Sequence, residues 1–160
     1  MRSRTGSWLE GARDALPVAG VYAASGVALG VLARQASLGP AEVGAMSLLV
    51  YAGSTQFTAV GLLIAGAPHA TIVATTLLLS LRSLTYGAAL APYLSTAGGW
   101  HRLLLAFGLT DEAFALAVRR FRARGADLAY MAGAVGTASP AWDHSPARAA
   151  AAGGAVPSPE

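Results

Sequence analysis

The chain has 160 residues, 54% of them hydrophobic and 12% charged, with mean hydropathy +0.51. That is about half the ~25% charge of an ordinary soluble domain, which points to lipid as the solvent. The absence of cysteine excludes a disulfide framework, a thiolate metal site and a cysteine nucleophile. The net charge of +3 rests on eleven arginines that flank apolar runs and form no stripe, which argues against a nucleic-acid surface.

The first uncharged run, residues 15–33, lies between Asp14 and Arg34. Nineteen helical residues approach the ~30 Å hydrocarbon thickness, so the run predicts a membrane-spanning helix with Pro17 near its start. A secretory signal is the rival reading, since Arg2, Arg4 and Arg13 precede the run. The further apolar runs favour an uncleaved span. Along it Ala19, Ala23, Gly26 and Gly30 trace one small-residue face, suited to close helix packing or to a partner subunit.

After the turn signal Ser37-Leu38-Gly39-Pro40, a second span is expected over residues 43–67, stopped by Gly66-Ala67-Pro68. Its middle reads Tyr51-Ala52-Gly53-Ser54-Thr55-Gln56-Phe57, an unusually polar stretch for a membrane segment. Gly53 permits local unwinding, and Gln56 both donates and accepts, so this stretch is either a solute-binding break or a helix bonded to its neighbours.

The third expected span, residues 70–93, is interrupted only by Arg82. Near a bilayer centre an arginine costs about 2.5–3.5 kcal/mol on insertion scales, so a counter-group or a polar passage is expected. Tyr86, four residues on, shares the face of Arg82. Snorkelling to water or a structural pair with Asp111 are the alternatives.

A weaker fourth run, residues 103–118, carries Asp111 and Glu112 and ends in the basic cluster Arg119-Arg120-Phe121-Arg122-Ala123-Arg124. Thr110 is placed to cap a helix whose first turn holds both acids; they also suit a proton relay or a pair with Arg82. With four spans and a cytoplasmic N-terminus, Arg2, Arg4, Arg13, Arg119, Arg120, Arg122 and Arg124 fall inside and only Arg34 and Arg102 outside, as the positive-inside rule prefers. The fold class is therefore an all-α polytopic membrane protein, with a transmembrane domain over 1–138 and a poorly ordered tail over 139–160. His69, His101 and His144 show no metal-ligand spacing. No nucleophile elbow, phosphate loop or cofactor motif is present, so an enzyme is not expected.

From about Leu16 to Tyr130 the chain resembles the AzlC-type branched-chain amino acid permeases. The likeness rests on Pro17 with Gly20, Gly26 and Gly30; on Met46-Ser47 before Tyr51-Ala52-Gly53-Ser54 and Gln56-Phe57; on Arg82 with Tyr86-Gly87; and on Thr110-Asp111-Glu112. The resemblance implies an inner-membrane permease exporting branched-chain amino acids with a small hydrophobic AzlD-type subunit. The family tends to have Asn two residues before the membrane Arg and His just after it, where this chain has Ser80 and Ser83. The stretch Asp143 to Arg148 departs from the family pattern, and a truncated or C-terminally disrupted member is the alternative expectation, as is a non-transporting scaffold. On this reading Arg82, Gln56, Tyr51, Gly53, Ser54 and Tyr86 contact the amino acid, and Asp111 and Glu112 relay a proton or form an ion pair.

Overall fold

In the computed structural model, which describes residues 4–50, 52–94, 99 and 109–153, the chain is all-helical among the described residues. The helices are α1 (Arg4–Gln35), α2 (Pro40–Val50), α3 (Gly53–Ile64), α4 (His69–Ser80), α5 (Arg82–Leu90), α6 (Asp111–Arg124) and α7 (Leu128–Gly153). Two stretches, Thr5–Gln35 and His69–Leu90, are long and apolar enough to cross a bilayer. Every residue from 69 to 89 is at least partly exposed, with Val73, Leu77, Leu78, Leu81 and Leu84 outermost. A chain that turns its leucines outward is suited to lipid, and the molecule is an all-α membrane protein.

Turn chemistry sets the helix ends where the sequence marks them. After α1, Ser37 takes a left-handed φ of 61°, and Leu38 donates back to Ala33 O at 3.0 Å. After α3, Gly66 at φ 68° lets Ala67 donate to Leu62 O at 3.0 Å, and Pro68 follows. Both are six-to-one closures that satisfy terminal carbonyls. The expected second span is two helices, parted after Val50, and Gly53 opens the second. The third is parted at Leu81, so that Arg82 heads α5. Residues 103–108 of the fourth run lie outside the described residues; from Asp111 onward the run is the start of α6.

Two expectations are corrected. α1 begins at Arg4, so Pro17 lies in the helix interior and removes the hydrogen bond to the Arg13 carbonyl. The tail expected from Ser139 is instead the second half of α7, which runs to Gly153 despite Pro140 and Pro146. Its small residues are ordered by tertiary packing, which composition alone does not reveal. Residues 154–160 lie outside the described residues.

The chain forms two compact units, each discontinuous in sequence. The first comprises Met1–Gly20 and Arg82–Pro140. Its core is Leu90, Leu94, Leu109, Ala113, Ala117, Phe121 and Met131. Here α1 and α7 meet backbone to backbone. A Cβ on Gly11 would run into the Tyr130 carbonyl, and one on Gly133 into that of Trp8. Around this contact the basic cluster finds acids. Arg120, only 8% exposed, pairs with Asp127 at 2.8 Å and Glu10 at 3.4 Å. Arg124 reaches Glu10, and Arg119 reaches Asp14.

The second unit comprises Val21–Leu81 and Ala141–Glu160. In it α1 and α7 pack side by side in parallel: Trp142 lies at Tyr22, Ser145 at Gly26, Pro146 and Ala149 at Gly30, and Gly153 at Arg34. Gly26 and Gly30 thus serve close helix packing, the first of the two roles their spacing allowed.

Asp127 offers a test of the first unit. Burial raises its pKa, but hydrogen bonds from Arg120 and from the Tyr130 amide, which it caps at 3.0 Å, lower it further, and the net shift is downward. A carboxyl depressed by folding stabilises the fold above its unfolded value near ~4, and that contribution disappears as pH falls through the folded value. Asp127→Ala is expected to cost about 1–3 kcal/mol at neutral pH by thermal unfolding in detergent. The gap from the parent protein should narrow in acid; a gap independent of pH would contradict the ion-pair account.

Candidate functional site

Arg82 and Tyr86 stand one turn apart on α5, so both reach the same neighbour. That neighbour is Asp111, the first residue of α6. Thr110 places it there: in extended backbone, its hydroxyl accepts from Ala113 N at 3.2 Å and starts the helix. Arg82 Nη1 donates to Asp111 Oδ2 at 2.7 Å, and Tyr86 Oη donates to the other oxygen at 2.9 Å. Phe114, one turn beyond Asp111, stacks on the Tyr86 ring with centroids 4.4 Å apart and planes 16° from parallel. The carboxylate is held from two sides, and the Tyr86 donor is itself held by the stack on Phe114.

The cluster is not sealed. The side chains of Arg82 and Asp111 are 31% and 44% exposed, so a solute has access to both charges. Glu112 is exposed. An arginine and a carboxylate in contact carry no net charge, which lowers the cost of holding either in a lipid-embedded bundle.

The other expected contacts lie in the second unit. Gly53 opens α3 against the Trp142 indole, whose Cη2 would stand 2.8 Å from a Cβ at that position. Ala52 precedes it in extended backbone with no side-chain cap. Thr55 and Gln56 follow, both fully buried, and Ser47 of α2 donates to Gln56 Oε1 at 3.5 Å. Ser54 is exposed, and its carbonyl accepts from Thr58 at 2.8 Å. Tyr51 lies outside the described residues. The structure therefore gathers Arg82, Tyr86 and Asp111 into one cluster, and Gly53 and Gln56 into another neighbourhood that also holds Trp142.

Sequence reasoning missed Trp142 and Asp143 as parts of that neighbourhood, because they sit in the stretch read as a tail. The usable signal was an aromatic residue and an acid amid alanines, glycines and prolines. It also read Arg119, Arg120 and Arg124 as topology markers alone. Glu10, Asp14 and Asp127, three of eight acids, lie on the neighbouring segments and mark them as ion-paired.

Comparison with known proteins places these residues in context. A family model described as AzlC protein matches residues 17–156, so the stretch Asp143 to Arg148 lies inside the match. The chain is 31% identical over 115 residues to "Inner membrane protein YgaZ" of Escherichia coli (strain K12), an alignment covering 71% of this chain and 47% of that protein. It is 34% identical over 91 residues to an "Uncharacterized membrane protein" of Haemophilus influenzae, covering 57% of this chain and 37% of that one. The chain thus spans less than half the length of either relative. No solved structure matches it significantly.

Proposed function

The chain belongs to the AzlC family of membrane proteins, and from that premise we propose that it is a multi-pass inner-membrane transport subunit exporting branched-chain and similar aliphatic amino acids. The observation that carries the proposal is the Arg82–Asp111 pair with Tyr86 on its free oxygen. The branched-chain class itself comes from the permease resemblance; the charge pair supports a zwitterionic solute.

An amino acid in solution carries one carboxylate and one ammonium. A preformed pair of opposite charges is complementary to both at once. The solute carboxylate takes the place of Asp111 on the guanidinium, whose fork accepts two oxygens. Asp111, released, takes the ammonium. All four charges stay paired, so substrate enters with no net charge added to the membrane interior. Tyr86 holds Asp111 through the exchange. A proton reaching Asp111, with exposed Glu112 beside it in sequence, would release the ammonium and couple export to a proton. The N-terminus lies on the cytoplasmic side in this reading, the helices make about four spans, and a small hydrophobic AzlD-type subunit completes the permease.

The test is efflux of preloaded labelled leucine or valine from cells expressing the chain alone, or with a small hydrophobic partner subunit. Saturable efflux that needs both chains is the expected result. No solute flux in either case would leave the chain a membrane scaffold.

A further inference from the structure

Four side-chain atoms in the second unit are buried with no hydrogen-bond partner among the described residues: Thr55 Oγ1, Gln56 Nε2, Trp142 Nε1 and Asp143 Oδ1. Thr55 and Gln56 are completely enclosed, and Trp142 is 5% exposed. They do not lie scattered. Two belong to the first turn of α3 and two are successive residues of α7, and these segments meet where the Trp142 ring covers Gly53. Asp143 stands one turn before Ala147, which Gly44 of α2 approaches. It is thus on the side of α7 turned to α2, the helix whose Ser47 touches Gln56. Buried polar groups are nearly always satisfied, so four orphans in one neighbourhood call for a polar ligand.

Their chemistry selects its class. Indole Nε1 and amide Nε2 can only donate, and the α3 amino end, uncapped by Ala52, adds partial positive charge. A metal ion would face those donors; a simple anion would face Asp143. A group with a carboxylate and an ammonium meets every demand. We propose that the first turn of α3 with Trp142 and Asp143 forms a second station for the head group of an α-amino acid. Gln56 and Trp142 donate to the carboxylate, and Asp143 with Thr55 accepts from the ammonium. The proposal rests on the amino-acid transport reading and assigns it a site built from residues of the second unit.

The test uses the full chain with Trp8→Phe and Trp100→Phe, which leaves Trp142 as the only tryptophan of three. Leucine is expected to change its emission saturably. 4-Methylpentanoate, which lacks the amine, and isopentylamine, which lacks the carboxylate, should each bind about tenfold or more weakly. Asp143→Asn should remove leucine's advantage over 4-methylpentanoate. Gln56→Glu, which keeps the size and adds charge, should lose leucine and retain isopentylamine. Equal leucine affinity in the parent and both variants would overturn the station. So would a Trp142 signal that ignores leucine while efflux proceeds, a result that leaves the transport reading intact. Neither efflux nor binding would overturn both.

Discussion

Arg82→Gln is expected to reduce leucine or valine efflux at least tenfold at equal expression, the loss of one charge-assisted contact to the solute carboxylate. The single variant also strands Asp111, bonded to Arg82 at 2.7 Å, with Tyr86 as its remaining donor in the cluster. A fall in flux could then reflect damaged folding, because removing one member of a pair is costlier than removing both. Arg82→Gln with Asp111→Asn separates the two causes. The double variant keeps the shapes and removes both charges of the pair, so its thermal stability should return toward the parent value. If the pair reads the zwitterion, efflux stays lost when stability returns. Efflux that recovers together with stability would reduce the pair to a structural one. Full efflux in Arg82→Gln alone would remove the residue from the transport path.

The largest stability effect is expected at Gly133. A Cβ there meets backbone: it runs into the Trp8 carbonyl, with Trp8 C at 2.9 Å and Ala12 N at 3.2 Å. Gly11 is its reciprocal, with Tyr130 C at 2.8 Å and Ala134 N at 3.1 Å. Backbone cannot rotate aside as a side chain can, so a new methyl group must push α1 and α7 apart. Separation would also stretch the nearby bond from Tyr130 Oη to Asp14, 2.7 Å long. Gly133→Ala is expected to cost about 1–3 kcal/mol and Gly133→Val more, read as a lower unfolding temperature in detergent. The control is Gly20→Ala in α1 or Gly136→Ala in α7, where a Cβ meets nothing within 4 Å among the described residues. There alanine's better helix propensity should give a small gain, about 0.5–1 kcal/mol. Equal responses at Gly133 and Gly136 would contradict the packing account.

The membrane class was legible in the sequence because the requirement is one-dimensional. A span needs length and apolarity along the chain, and the runs at 15–33 and 70–93 show both. The stops at Ser37-Pro40 and Gly66-Pro68 were legible for a similar reason: the left-handed closures are made by residues five apart. Arg82 stood out because a charge in a 24-residue apolar run has a cost that calls for a partner. Asp111 was named among its candidate partners, but only as one reading of several.

What the sequence determined by itself was therefore the all-helical membrane character, the places where helices stop, and a small set of polar residues too costly to be idle. Each follows from local energetics, the cost of a residue against its immediate neighbours and its solvent. Tertiary structure alone decided which of those residues meet: that the Arg82 guanidinium lies on Asp111 and is braced through Tyr86 and Phe114, while Gln56 sits instead in a neighbourhood with Trp142. It alone also made a helix of the stretch after Ser139. Pro140 and Pro146 oppose a helix there, and what offsets them is packing against the glycine face of α1, more than a hundred residues away in the chain.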